Sequence, residues 1–524
     1  MSKRFFLTTA IDYTNGAPHL GHAYEKIIAD VIARARRSMG ESVFFLTGLD
    51  EHGTKVQQAA QAAGKSPQDY CDGLAVEWRA FAQTLGLVND DFIRTTEPRH
   101  REVVQAILSQ LHAAGEIYKA AYEGWYSVRQ ETFLTDKDRL PDGSWDPSYG
   151  EVIQLVEENW YFRLGKHQDW LIHFLENHPT FVEPDYRRNE VLGFLRKEQL
   201  ADLCISRPLS RLNWGIPLPF APDWVTYVWF DALVNYYTVP AALGDSAALA
   251  PLKGVYPGLP TSIALWPPDL HILGKDIVKF HAVYWPILLH ALGAPLPKQL
   301  LVHGWWQKDG AKIAKSTGNI VDPVAVIDVW GLDAFRYFIV RELAIGPDGN
   351  WTDASFSARY HAELANGLGN LLNRALNMLN KYRGGVVPAV SNELEPEATV
   401  AVNATEAAFR AHRLQEALVA IWVLVNRANK YVEETQPFKL AKDPAQAARL
   451  DVVLYNLVES CRVLAVLLWP VIPGTAERIY AQLKIGGEVD LWRGTAWGGL
   501  PPGHTVGIPV PLFPRRDQPP AKPA

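Results

Sequence analysis

Apolar residues along this chain group in two ways, as short continuous runs near the start and as helical stripes near the end, and the change between them outlines the architecture. Residues 5–11, FFLTTAI, form an apolar run with the length and composition of a buried strand. A turn-rich stretch, DYTNGAP, separates it from Ile27, Ile28, Val31, Ile32 and Ala35, whose spacing predicts a helix that Gly40 ends. A second run, SVFFLTGLD, follows, so the opening of the chain predicts a β-α-β unit of a parallel sheet. Such sheets bind ligands at the carboxyl ends of their strands, and both the loop before His19 and the segment at Asp50 fall at that edge.

From about residue 117 to 207 the pattern breaks into aromatic, loop-rich sequence containing DGSWDPS and HPTFVEPDY, which predicts an insertion interrupting the sheet. Strand-like runs return at VTYVWF, LHILG and QLLVHGW. Beyond about 360, amphipathic stretches near 360–382, 404–435 and 446–483 predict a helical bundle, and RRDQPPAKPA reads as a disordered tail. The expected fold class is α/β. A Rossmann-type parallel-sheet domain in two halves, 1–116 and 208–330, is split by a connective insertion at 117–207, and an all-α bundle at 364–514 precedes the tail at 515–524.

Composition narrows the classes of function. With 524 residues, 48% of them hydrophobic, the chain can fill several cores at ~150 residues per domain. No apolar run nears the ~20 residues of a membrane span, and residues 5–7 give way at once to Thr8, Thr9 and Asp12, which argues against membrane insertion and secretion. Cys71, Cys204 and Cys461 lie far apart without a CxxC pair, so neither a disulfide framework nor a cysteine zinc knuckle is expected, and a reducing, cytoplasmic compartment fits. The net charge of -6 argues against indiscriminate nucleic-acid binding, which needs a dense positive surface. A single RNA held by shape and a local basic face is compatible with it. Arg34, Arg36 and Arg37, Arg187 and Arg188, and Arg410 and Arg413 are candidates for such a face, and solvated helix faces are the plainer reading of each.

Two motifs carry chemistry. Pro18-His19-Leu20-Gly21-His22 stands between a strand and a helix, where unpaired N–H groups and the helix dipole favour a phosphate. Gly21 lets a base or ribose approach the backbone, and two imidazoles can donate to phosphate oxygens as charge builds. Far downstream, Lys312-Ile313-Ala314-Lys315-Ser316 follows the Asp309-Gly310 turn, and two lysines three apart can close over a triphosphate and neutralise a pyrophosphate leaving group. Each motif alone also reads as an ordinary surface turn or a solvated lysine loop.

Together the motifs resemble the HIGH and KMSKS signatures of class I aminoacyl-tRNA synthetases, with Ile313 and Ala314 replacing the usual Met-Ser. The likeness to methionyl-tRNA synthetases runs to about residue 512, through NGAPHLGHAYE, FFLTGLDEHG, DDFIRTTEPRH, YVWFDALVNYY, HILGKDIVKFHAVYWP and LGNLLNRALNML. The resemblance implies ATP-dependent activation of L-methionine to the adenylate, with magnesium, and its transfer to the 3' end of tRNA(Met), initiator included. It implies ATP contacts from Tyr13, His19, Gly21, His22, Lys312, Lys315 and Ser316, and places Asp50 on the substrate ammonium. The amino-acid wall falls on Tyr13, Trp229, Ala232, Leu233, Tyr236, Ile277 and His281, with Arg207 and Asp276 near the site. A charge-assisted bond suits the ammonium, and aromatic rings suit the thioether at ~0.3–1.5 kcal/mol per contact.

The resemblance further implies a stem-contact segment at 331–363 and anticodon reading by Asn370 and Arg374, one helical turn apart, with Phe438 stacking where relatives carry Trp. Many relatives start a zinc knuckle with YCxxC, whereas this chain has Tyr126-Ser127-Val128-Arg129-Gln130, so no zinc is expected. No appended oligonucleotide-fold domain follows the bundle, which makes a monomer the expectation. Isoleucyl, valyl, leucyl and cysteinyl enzymes, a catalytically silent RNA-binding paralogue and a small-molecule nucleotidyltransferase are the rival readings. The short insertion, the missing cysteines, the retained histidines and lysines and the bundle weigh against them in turn.

Overall fold

The structure is a computed structural model that describes residues 3–14, 16–127, 132–134, 136–252, 264–313 and 319–515. Strands Arg4–Thr9, Ser42–Asp50, Asp91–Arg94, Leu270–Gly274, Leu300–His303 and Val182–Glu183 form one sheet in which every pair is parallel, and Asp12–Tyr13 extends it beside the end of Ser42–Asp50. Arg4–Thr9 sits centrally, and five of its six residues are buried because helices cover both faces of such a sheet. The strand order runs 91–94, 42–50 and 4–9 on one side, then 270–274, 300–303 and 182–183 on the other. Chain direction across the sheet therefore reverses between Arg4–Thr9 and Leu270–Gly274, and a crevice opens at that switch point.

The first helix, Leu20–Ser38, begins where the sequence places it and ends at Met39, with Gly40 at φ 84° turning the chain back. Ile27, Ile28, Val31, Ile32 and Ala35 are all buried. The apolar run VTYVWF, expected as a strand, divides instead: Ala221–Thr226 is a strand and Tyr227 caps the helix Val228–Ala242. The helix is buried on every side from Phe230 to Ala241, so apolar composition alone does not separate strand from helix there.

In the segment read as an insertion, Ile117–Ser127 and Val152–Phe162 form a long antiparallel pair, joined by Thr132–Leu134 and Leu203–Cys204. Val182–Glu183 leaves this unit and pairs with Leu300 and Leu301 at the edge of the parallel sheet. The segment thus adds a strand to the sheet it interrupts.

The C-terminal bundle comprises Asn370–Arg383, Glu395–Arg410, Leu414–Thr435, Ala447–Leu468 and Pro473–Leu483. The stripes 404–435 and 446–483 each break in two, at His412 (φ 58°) and at the turn containing Pro470. Ala447–Leu468 is buried all round from residue 453 onward and forms the bundle axis. Two π-helical segments interrupt otherwise regular helix, Phe280–Tyr284 and Tyr360–Gly369. Among the described residues no helix is long and apolar enough to cross a membrane.

The bundle is tied to the first helix. The Arg336 guanidinium donates to Asp30 at 2.6 Å, to Leu85 O at 3.1 Å, and to Val471 O and Pro470 O at 2.8 and 3.2 Å. Arg36 donates to Arg410 O, and Arg410 pairs with Glu41. Of the arginines considered for a basic RNA face, Arg34, Arg36, Arg37, Arg187, Arg410 and Arg413 each pair with a carboxylate, and the first two are buried. These charges hold the fold together.

Candidate active site

One cavity of about 730 Å³ opens at the switch point. Four strand ends supply its lining: residues 10–13 after Arg4–Thr9, Asp50 and Gly53 after Ser42–Asp50, residues 274–277 after Leu270–Gly274, and residues 303–307 after Leu300–His303. His19, Gly21, His22 and Glu25 enter from the first helix, and Trp229, Ala232, Leu233 and Tyr236 from Val228–Ala242.

The paired histidines cap their own helix. His19 Nδ1 accepts from Gly21 N–H and His22 Nδ1 accepts from His19 N–H, both at 3.1 Å, so each neutral ring carries its proton on Nε2. The rings stack at 3.7 Å, with His22 edge-on to Trp78 at 4.8 Å. A side chain at Gly21 would press on His19, since an added Cβ would lie 3.0 Å from its ring.

At the other end, Asp50 is buried, and its Oδ1 has no hydrogen-bond partner among the described residues. Burial first, and then the neighbouring Asp231 charge, push its carboxyl well above the usual range, with the His52 N–H opposing them. Such an oxygen is prepared for an incoming cation. Tyr236 OH lies 2.7 Å from His281 Nε2, and His281 Nδ1–H donates to Ile277 O at 3.0 Å, so Tyr236 is the donor of the pair. Trp229 stacks on Phe280 at 3.6 Å. Arg207 lies over Tyr227 and donates to Ser206 O. Asp276 accepts from Trp305 Nε1 at 3.1 Å, and Gly274 leaves it room, because a Cβ there would meet its carboxylate at 2.6 Å.

Residues 5–142 and 148–376 match the family described as tRNA synthetases class I (M), and residues 383–518 match the anticodon binding domain of methionyl tRNA ligase. The methionine–tRNA ligase of Caldanaerobacter subterraneus is 42% identical over 524 residues, 99% of this chain and 80% of that protein. That of Bacillus subtilis is 42% identical over 98% of this chain and 78% of its own length. The chain belongs to the methionine–tRNA ligase family. A Mycobacterium tuberculosis methionyl-tRNA synthetase in complex with methionyl-adenylate has the same fold, with a TM-score of 0.89 and 38% identity over 98% of this chain and 100% of that one.

The cavity gathers Tyr13, His19, Gly21, His22, Asp50, Arg207, Trp229, Ala232, Leu233, Tyr236, Asp276, Ile277 and His281, all singled out in the sequence. Lys312 lies in the strand Ala311–Lys312, and the next residue, Ile313, lines the cavity. Lys315 and Ser316 fall outside the described residues, as do residues 128–130 of the insertion and 516–524 of the tail. Asn370 and Arg374 share the helix Asn370–Arg383, Asn370 exposed and Arg374 half-buried, and Phe438 in Pro437–Leu440 is 46% exposed.

Sequence reasoning missed Asp12, Lys26, Glu25, His303 and Trp305. Glu25 stands one helical turn after the histidine motif, beyond Ala23 and Tyr24, and an acidic residue inside a strongly apolar helix was the signal available.

Proposed function

We propose that this cavity is where the ligase activates methionine, with the carboxylate of L-methionine attacking the α-phosphorus of ATP and pyrophosphate leaving with magnesium. The substrate brings the nucleophile, so the protein positions and stabilises charge. In this reading Asp50 takes the ammonium through its unpaired Oδ1, and Tyr13, Trp229, Ala232, Leu233, Tyr236, Ile277 and His281 enclose the side chain. His19 and His22 donate Nε2–H to the phosphates over Gly21, and the loop carrying Lys312, Lys315 and Ser316 closes over them. Arg207 and Asp276 complete the lining. A ribose hydroxyl of the terminal adenosine then attacks the carbonyl and releases AMP.

The transfer RNA, tRNA(Met) with the initiator form included, is read by Asn370, Arg374 and Phe438. In this reading magnesium arrives bound to the nucleotide. The finer reading comprises a zinc-free insertion at 117–207, a stem-contact segment at 331–363, an anticodon-binding bundle at 364–514, and a monomer working in the cytoplasm.

The observation that carries the proposal is the union of two stacked imidazoles and one unpartnered buried carboxylate oxygen in a single cavity of a size suited to a small ligand. ATP–pyrophosphate exchange across the standard amino acids tests it. Exchange driven by methionine is expected, and exchange driven only by another amino acid would overturn it.

A further inference from the structure

The floor of the cavity beside the paired histidines holds a charged cluster that the mechanism leaves unused. Lys26 is buried, and its ammonium meets four acceptors: Ala10 O at 2.8 Å, Thr9 Oγ1 at 3.0 Å, and Asp12 and Glu25 each at 3.1 Å. Asp12, Glu25 and Ala10 line the cavity directly above it. Glu25 also faces His303 Nε2 at 3.1 Å, while His303 Nδ1–H donates to Gly304 O at 2.8 Å.

Two carboxylates on the wall of a cavity that takes a polyanion are unfavourable unless something compensates them. We propose that Lys26 is a positioning residue for ATP: from beneath the floor it holds Asp12 and Glu25 on its ammonium and supplies the positive charge that admits a polyanion to this cavity. The inference rests on the cavity being the ATP site.

Charge bookkeeping across the cluster makes it specific. Burial works against the Lys26 ammonium, but Asp12 and Glu25 outweigh it and keep its pKa above the usual range. Burial likewise opposes ionisation of Glu25, and Lys26 and His303 outweigh it and hold the carboxylate ionised. Asp12 is pushed up to about 7, by burial first, with Glu25 adding to the rise and Lys26 opposing it. Tyr236 and His281 also face the cluster from the opposite helices and Tyr24 stands edge-on to His303 at 5.0 Å, and all three are uncharged near neutrality. The cluster therefore gains one negative charge as Asp12 ionises, and ATP affinity should fall as pH rises through about 7.

Methionine-dependent pyrophosphate exchange, with KM for ATP and for methionine measured between pH 6 and 9, tests this in the full chain. Lys26→Met should raise the KM for ATP about five- to tenfold at pH 6.5 and leave the KM for methionine within about twofold. Asp12→Asn should keep the KM for ATP low and flat with pH. The double variant removes both members of a buried ion pair and should regain thermal stability, since such replacement is often neutral to folding. Its KM for ATP should nevertheless stay raised and flat. Recovery of the ATP KM together with stability would make Lys26 a structural residue only and overturn the proposal, as would equal shifts of both KM values. If Lys26→Met does not fold, Asp12→Asn decides: a KM for ATP that still rises with pH as in the unaltered chain overturns it. Asp50→Asn in the same assay reports on the cavity itself, because a KM for methionine that does not move removes the site assignment whatever the Lys26 variants do.

Discussion

Asp30 and Arg336 are 306 residues apart in sequence, and their fully buried side chains meet at 2.6 Å. Asp30 lies on the helix that begins with the paired histidines, and Arg336 also grips two carbonyls of the turn between the last long helices of the bundle. The catalytic helix and the bundle are therefore clamped to one buried guanidinium. Replacing Arg336 by leucine leaves Asp30 with Arg34 as its remaining cationic partner and three carbonyls without their donor. The expected loss is about 3–5 kcal/mol, read as a lower urea midpoint, and a change under ~1 kcal/mol would show that the clamp is dispensable.

Asp50→Asn should raise the KM for methionine at least about tenfold while moving the KM for ATP little, because one charge-assisted bond is lost at ~1.5–3 kcal/mol. The carboxyl is held above its usual range by burial and Asp231, so methionine affinity in the unaltered chain should improve as pH rises. The trend is opposite to the one expected for ATP, and a pH series of both KM values separates them.

Acid should unfold this chain early. His412 and His100 are held down to about 3, chiefly by burial, with the charge of Arg36 beside the first and His52 near the second. Each ring is neutral in the folded chain until about pH 3 and takes a proton near 6.5 when unfolded. The unfolded state thus binds protons first, and stability present above 6.5 is lost progressively as pH falls toward 3. His412→Gln should flatten that part of the Tm–pH curve, and a curve of unchanged slope would exclude the group.

Phe438 presents about half its surface to solvent at the end of the bundle. Exchange for tryptophan widens the stacking face, at ~1–3 kcal/mol for a stacked base. Adenylate formation should not change and the KM for tRNA should fall or hold. A clear rise would assign the stacking to another residue.

Ser127 is fully buried and donates to Tyr149 O at 2.6 Å, so its hydroxyl is committed to the insertion's own backbone. Metal analysis of the purified chain should return well under one zinc per molecule, and a stoichiometric zinc would refute the zinc-free reading.

The apolar pattern made the first β-α-β unit legible almost to the residue, because a buried strand and a one-sided stripe leave different spacings. It failed at VTYVWF, where an unbroken apolar run leads into a helix buried on all sides and erases the difference between the two periods. It also missed the two breaks in the bundle stripes, since turns at 411–413 and 469–472 hardly disturb a helical pattern. In the site, the histidine and Asp50 segments were legible because they are contiguous with strand ends. Lys26 and Asp12 were not: a lysine in a helix ordinarily faces water, and only the fold shows that this one points inward beneath a strand end.

The π-helical turn at Phe280–Tyr284 carries His281, and a π turn holds more residues than an α turn. Deleting one residue there would let the helix close into regular α geometry with its hydrogen bonds intact, and the flanking turns would keep their phase because the wide turn alone had absorbed the extra residue. The local widening that seats His281 against Tyr236 and Ile277 would be lost while the core around Trp285 stayed seated. The extra residue is thus a bulge written into the backbone, and a single-codon deletion there should silence this pocket without unfolding the protein.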